Sequence, residues 1–157
     1  MRRVDRERDR TFAYGVIDRC EYGVAAFSVE GDTPYCIPLS LVRVGDELFF
    51  HCAKQGSKLA LLSRNPNVCV SFVSNTQPVY LEKSNSYTTY YQSAVVKGNA
   101  YEVIDPQKKT DALFALCKKL TPHDMDGFER AIERSLGITG VWGIHMSEVT
   151  GKEKAHM

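Results

Sequence analysis

Alternating apolar and polar positions predict six β-strands in this chain. The first three are separated by the short turns Glu30-Gly31-Asp32 and Val44-Gly45-Asp46. Turns this short predict that the first two strands form a hairpin and that the third is antiparallel to the second. Pro34 and Pro38 predict an edge or a bulge in the second strand, because proline cannot donate to a strand ladder. The predicted strands are 22–29, 34–42, 47–52, 68–73, 87–104 and 139–149.

Four helices are predicted around these strands, and Gly98 predicts a bend in the long fifth strand. The predicted helices are 6–20, one that begins at Ser57 and stops before Asn65-Pro66, one that begins at Asp105-Pro106, and one capped by Asp124 and ended by Gly137. The polar segment 74–86 is predicted to be a loop. A parallel sheet would need a crossover helix after nearly every strand. We therefore predict an all-β core with peripheral helices, an antiparallel barrel built from a single domain, residues 1–157.

The net charge and the cysteine and histidine content of the chain exclude several classes of function. The formal net charge of +1 gives no electrostatic case for nucleic acid or an anionic membrane as a partner. The five cysteines are odd in number and contain no CxxC pair, and the four histidines have no zinc spacing, so a disulfide framework and a metal site are not expected. No apolar run has membrane length. A soluble, cytoplasmic protein is the expectation.

The segment 47–66 carries the clearest chemistry. A short apolar strand leads through His51 and a loop with Gly56 into a helix that begins at Ser57 and Lys58. The amide groups and positive dipole end at a helix start favour anions, and these side chains add donors for a phosphate. The alternative is an ordinary surface turn with a solvated lysine and a structural histidine.

Several segments together resemble the pyridoxamine phosphate oxidase-like FMN-binding split-barrel proteins, and within them the nitroimidazole-resistance branch. The spacing of His51, Ala53, Gly56 and Lys58 follows HxAxxGxK, and a YYxS segment comes later. The segments that carry the resemblance are Pro38-Leu39-Ser40, residues 51–59, Asn65-Pro66, residues 90–98 and Thr150-Gly151-Lys152. The resemblance implies a six-stranded antiparallel split barrel of Greek-key type. It also implies a homodimer with FMN at the subunit interface, contacted by both chains.

The resemblance also assigns candidate roles to individual residues. His51, Ser57 and Lys58 match the flavin phosphate end, and Pro38, Leu39 and Ser40 match the strand that runs along the isoalloxazine ring. The residues matched to the wall supplied by the facing subunit are Tyr91, Ser93 and Trp142. This sequence departs from the family pattern at Ser40, Cys52 and Gln92, where relatives often have asparagine, a small hydroxyl residue and an acid. The alternative for Tyr87, Tyr90 and Tyr91 is barrel packing, which is the commoner role of strand aromatics, and Trp142 has the same alternative.

The function implied is an FMN-dependent oxidoreductase that reduces a small nitroaromatic or related acceptor, with electrons from a nicotinamide or another donor. His51 is then the candidate catalytic residue, because an imidazole can protonate or orient a substrate near neutral pH. Cys52, beside it, is a thiol to check for reactivity. Two alternatives stay open: a flavin or haem carrier without turnover, and a dimer with no cofactor.

Overall fold

The structure is a computed structural model that describes residues 3–155. It contains eight strands and four helices in these residues, with short 3-10 turns at Val4–Arg6 and Glu82–Ser84. The strands are β1 (Glu7–Arg8), β2 (Gly23–Phe27), β3 (Tyr35–Leu39), β4 (Val42–Val44), β5 (Glu47–Ala53), β6 (Asn67–Leu81), β7 (Ser86–Glu102) and β8 (Thr139–Lys154). The helices are α1 (Arg10–Arg19), α2 (Ser57–Arg64), α3 (Pro106–Leu120) and α4 (Phe128–Ser135).

The predicted fold class is confirmed: one antiparallel sheet forms the core and the helices lie around it. The sheet order is β3-β2-β6-β7-β8-β5-β4, and β1 pairs with β8. Eight strands replace the predicted six for two reasons. The pair Glu7–Arg8 was not predicted, and the predicted second strand is divided into β3 and β4.

The division between β3 and β4 gives the sheet its shape. These two strands are the opposite ends of the sheet, yet only Ser40 and Leu41 connect them. Three Cα steps span at most about 11 Å, so the two sheet edges must meet at this corner. The sheet therefore curls into a barrel whose ends are joined by the chain and not by a strand ladder, which is a split barrel. Here we call Ser40-Leu41 the corner.

β8 pairs with three other strands of the sheet. It pairs with β7 along most of its length, with β5 through its first half and with β1 near its end. The predicted bend at Gly98 is confirmed, because the β7–β8 register shifts between Lys97 and Gly98. The β6–β7 hairpin continues beyond the sheet, where residues 77–81 pair with residues 86–90.

Two hydrophobic clusters lie on the two faces of β5 and β8. The barrel cluster includes Phe50, Phe72 and Leu41, and α1 buries Val16 and Ile17 in it. The outer cluster packs Phe49 and Val141 against α3, with Leu113 and Leu116 as its helical contribution. Within residues 3–155, no helix is long and apolar enough to cross a membrane.

Three local predictions were wrong. The first helix begins at Arg10 and not near residue 6, because the Asp9 carboxylate caps it by accepting from the Phe12 amide at 2.8 Å. Segment 74–86 is mostly strand, with both faces largely exposed, so it lacks the apolar alternation that would have revealed it. Asp124 does not cap α4, whose N-cap is Gly127. The predicted hairpin of the first two strands is confirmed, because β2 and β3 are antiparallel partners. The third strand is antiparallel to the second only at β4, and its longer partner is β8.

Candidate functional site

The candidate site is built around a free edge of β5. The last β4–β5 pair is Val42 with Phe49, so residues 50–53 pair with β8 on one side only. Continued by two residues, this register would set Ser40 beside His51. The chain turns at the corner instead, and β3 pairs with β2. The split of the barrel therefore lies between the end of β3 and the second half of β5.

The start of α2 lies directly after this free edge. Gly56 is its N-cap and has a φ of 143°, a conformation that an L side chain rarely adopts. The amides of Leu59 and Ala60 bond to the Gly56 carbonyl at 3.1 and 3.2 Å. The amides of Ser57 and Lys58 precede the first helical hydrogen bond, so they are available to an outside acceptor.

Lys58 adds a charge at the same place. Its ammonium lies 5.8 Å from the centre of the Phe50 ring, and no carboxylate pairs with it among the residues described. The neighbouring lysine differs, because the Lys54 ammonium donates to the Gly137 carbonyl. Backbone amides, the Ser57 hydroxyl and the Lys58 ammonium are donors that fit a phosphate.

His51 and Lys58 lie on opposite sides of β5. Side chains alternate along a strand, and Leu48, Phe50 and Cys52 belong to the barrel cluster. His51 therefore points to the other side with Phe49, and its strand partner is Val141 of the outer cluster. Its side chain is exposed. A ligand can reach both His51 and Lys58 only around the free edge of β5.

The segment Pro38-Leu39-Ser40 borders the split from the other side. Pro38 lies in β3, the end strand of the sheet, so the predicted edge position is correct. Pro38 and Ser40 are exposed, whereas Leu39 is buried in the barrel cluster. The segment thus presents backbone and two side chains outward while Leu39 anchors it.

The three residues matched to the facing wall do not lie together in one chain. Trp142 pairs with Phe50 across β5–β8, so it lies beside the candidate site and packs on the barrel cluster. Tyr91 and Ser93 pair with Lys154 and Lys152 at the far end of β8. From Trp142 to Lys154 the strand advances 12 residues, or roughly 40 Å at about 3.3 Å each. Tyr91 and Ser93 are therefore remote from the Trp142 of their own chain.

Cys52 is a core thiol. Its side chain is buried in the barrel cluster, and a Cβ at Gly140 would lie 3.3 Å from its Sγ. Burial raises the pKa of the Cys52 thiol, an effect that the nearby Lys58 ammonium opposes. A thiol with a raised pKa is protonated near neutrality and is a weak nucleophile.

A polar network on the outer face was missed from the sequence. Tyr101 donates to Glu47 and accepts from the Lys108 ammonium at 2.8 Å. Nδ1 of His145 lies 2.9 Å from Glu47 Oε1, and its ring stacks on Tyr101 with 4.4 Å between centroids. Burial raises the pKa of Glu47, but the hydrogen bonds from Tyr101 and Lys108 outweigh this, and the net pKa is lowered. The four residues come from four different elements, β5, β7, α3 and β8, so no local pattern indicates them.

Residues 9–153 match the family model described as pyridoxamine 5'-phosphate oxidase. The chain belongs to this family. The match begins at the Asp9 cap and ends in β8, so it includes the free edge of β5, the corner and the start of α2. No curated protein matches the chain. The resemblance stated from sequence to the pyridoxamine phosphate oxidase-like proteins is confirmed.

Solved structures share the fold of this family member at low sequence identity. A candidate 5-nitroimidazole antibiotic resistance protein from Bacteroides thetaiotaomicron is 23% identical, with a TM-score of 0.79; the match covers 92% of this chain and 84% of that one. The flavocytochrome Anf3 from Azotobacter vinelandii is 19% identical, with a TM-score of 0.83, and the match covers 99% and 72%. The FAD and heme binding protein from Mycobacterium smegmatis is 21% identical, with a TM-score of 0.78, and the match covers 94% and 72%.

Proposed function

We propose that this chain binds FMN and uses it to reduce a small nitroaromatic or related acceptor. The observation that carries the proposal is the start of α2, where two free backbone amides, a hydroxyl and an unpaired lysine adjoin the split of the barrel. This donor set suits a phosphate monoester, the anionic end of FMN. Similarity to a candidate 5-nitroimidazole antibiotic resistance protein favours a nitro compound as the acceptor.

The residues of the chain have separate tasks in this proposal. Ser57 and Lys58 hold the phosphate, and the exposed backbone of Pro38-Leu39-Ser40 borders the flavin ring. When bound, the flavin supplies the electron transfer, so the protein needs no nucleophile. His51, exposed at the free edge of β5, donates a proton to the acceptor.

A second copy of the chain completes the proposed site. The β8 partners of Tyr91 and Ser93 lie 12 and 10 residues from Trp142, or roughly 33 to 40 Å along the strand at about 3.3 Å per residue, so we assign Tyr91 and Ser93 to the flavin of the facing copy. Two valines on the outer face of the sheet, Val24 and Val73, are 40% and 58% exposed, and a half-buried Val95 lies near them. We take this outer face as the surface against which the second copy packs, because burying exposed apolar side chains drives association.

A carrier without turnover is the second candidate function. It is favoured by the flavocytochrome and the FAD and heme binding protein, which share the fold and are described by what they bind. A carrier needs the same cofactor site but no proton donor. The two functions therefore differ at His51 and in reactivity, and not in the fold.

The absorption spectrum of the purified protein, with and without added FMN, is the first test. Flavin bands that remain after gel filtration support the proposal, a haem Soret band supports the carrier, and a protein that stays colourless in excess FMN contradicts both. The second test is reoxidation of the photoreduced protein by a panel of nitroaromatic compounds. A flavin-loaded protein that no nitro compound reoxidises contradicts the reductase and leaves the carrier.

A further inference from the structure

Lys119, near the end of α3, joins three elements at the corner of the barrel. Its ammonium donates to the Leu41 carbonyl at 2.8 Å and to the Ile17 carbonyl at 3.1 Å. Leu41 belongs to the corner, and Ile17 to the last turn of α1. The side chain of Lys119 is half-buried, and burial lowers its pKa while Asp18 partly opposes this shift.

Both carbonyls lack a partner in regular structure. The Ile17 carbonyl is one of the last four in α1, and the carbonyls at a helix end have no amide within the helix to bond to them. Leu41 lies between two ladders, because β3–β2 pairing stops at Leu39 and β4–β5 pairing starts at Val42. The Leu41 side chain is fully buried, so water has little access to replace the lysine.

The corner is held from its other side by an ion pair. Arg43 in β4 forms two hydrogen bonds to Asp18 of α1, at 3.0 and 2.6 Å, and its guanidinium lies 4.3 Å from the Tyr14 ring centre. Arg43 therefore fixes the start of β4 to α1. Lys119 fixes the corner itself, because it bonds to the carbonyl of Leu41, the residue after Ser40.

We infer that Lys119 is a positioning residue that holds the backbone of Pro38-Leu39-Ser40 in the course required for binding the flavin ring. The inference rests on the proposed flavin site. Leu39 is anchored by its buried side chain and Leu41 by the lysine, so Ser40 is suspended between two fixed points. Without Lys119, the corner joins the two sheet edges with an unpaired buried carbonyl. We expect it to shift or to open toward water.

The test compares Lys119→Met with the control Lys118→Met in the full chain. Lys118 is exposed on the same helix, so its replacement leaves the corner intact. We expect Lys119→Met to weaken FMN binding about tenfold and to change the visible circular dichroism of the bound flavin. Lys118→Met should match wild type in both. Lys119→Arg keeps donors for the two carbonyls and should recover most of the affinity.

Hydrogen exchange of the flavin-free protein separates failure of this inference from failure of the proposed function. We expect peptides that cover residues 38–42 to exchange about tenfold faster in Lys119→Met, with no change in Lys118→Met. If wild type does not bind FMN but exchange changes as expected, the proposed function fails and the role of Lys119 at the corner stands. Unchanged exchange, or unchanged affinity and dichroism in a protein that binds FMN, overturns the inference. If the Met variant does not fold, Lys119→Ala is measured in its place: it removes every side-chain donor without adding bulk near the corner, and wild-type exchange, affinity and dichroism in it overturn the inference equally.

Discussion

The side-chain amide of Gln92 donates a hydrogen bond to Glu153, with 2.8 Å between Nε2 and Oε1. The amide oxygen Oε1 of Gln92 accepts hydrogen bonds from Arg19 at 2.8 Å and from Asn75 at 2.7 Å. Gln92 thus ties α1, β6 and β8 together at one end of the barrel. The structure gives a reason for an amide at this position: it can donate to Glu153 and accept from Arg19 together, which a carboxylate cannot do.

Replacing Gln92 with Glu is therefore expected to destabilise the protein by about 1 to 3 kcal/mol at pH 7, because two carboxylates face each other where a hydrogen bond was. The loss should shrink toward pH 4, where one carboxylate accepts a proton. Urea unfolding at the two pH values measures both effects. A variant as stable as wild type at pH 7 would show that Arg19 neutralises the second acid.

The lowered pKa of Glu153 makes part of the free energy of unfolding depend on pH in the acid range. The hydrogen bond from Gln92 holds the pKa of Glu153 below its ordinary value, burial opposes this, and Arg8 contributes a further hydrogen bond at 2.9 Å. A lowered folded pKa stabilises the fold above the ordinary glutamate pKa of about 4.3, and the stabilisation is lost as pH falls through the folded value.

We expect Glu153→Gln to lose at most about 1 kcal/mol of unfolding free energy at pH 7, since the group is near the surface. The difference from wild type should shrink as pH falls below the ordinary glutamate pKa and Glu153 takes up a proton in the folded protein. Parallel urea titrations across pH 3 to 7 provide the measurement. A difference that does not vary with pH would assign the effect to packing and not to charge.

Lys58 is expected to determine the affinity for FMN. Charge-assisted hydrogen bonds contribute about 1.5 to 3 kcal/mol, so Lys58→Ala should weaken binding tenfold or more. The matched control is Lys54→Ala, which removes a lysine from the same loop whose ammonium is engaged by Gly137. Fluorescence titration with FMN compares the three proteins. Equal affinity in wild type and Lys58→Ala would remove Lys58 from the phosphate site.

Val73 is expected to lie in the contact between two copies. Val73→Glu places a charge on the proposed contact face, so it should give a monomer with weakened FMN binding. Val44→Glu is the control, because Val44 is an exposed valine, at 48%, on β4, a strand that does not pair with β2, β6 or β7. Sedimentation at micromolar concentration reports the oligomeric state. A wild-type monomer that retains FMN would disprove the shared site.

His51 separates the reductase from the carrier. The His51→Gln variant keeps hydrogen-bonding capacity but cannot donate a proton near neutrality. We expect it to keep its flavin and to slow reoxidation of the photoreduced protein by a nitroaromatic acceptor on the order of a hundredfold. Stopped-flow measurements across pH 5 to 9 test this. The same rates and pH profile as wild type would limit His51 to binding or structure.

Local signals predicted most elements of the fold, but not how the strands pair. Asp105 and Pro106 gave the start of α3 correctly, because the N-cap and first-turn preferences are local. The corner depends on which strands lie at the sheet edges, and no local pattern reports that. The hairpin segment 77–89 contains no fully buried residue, so hydrophobic alternation cannot reveal it.

The candidate site was predicted in part. The Gly56-Ser57-Lys58 start of α2 was recognised because it combines a strand end with a helix start. The side of the sheet on which His51 lies was not predicted, because Leu48, Phe49 and Phe50 are all apolar and show no alternation of apolar and polar positions. The structure explains this run: β5 is buried on both faces, with Phe50 in the barrel and Phe49 against α3.

The position of β8 determines when this protein can finish folding. β8 lies between β7 and β5, yet it is formed by residues 139–154, which leave the ribosome after the rest of the sheet. Until then, β5 and β7 each present an unpaired edge, and such edges promote intermolecular strand pairing. A nascent chain is therefore most prone to aggregate until residues 139–154 have been synthesised, and a chain truncated before residue 139 leaves these edges of β5 and β7 unpaired.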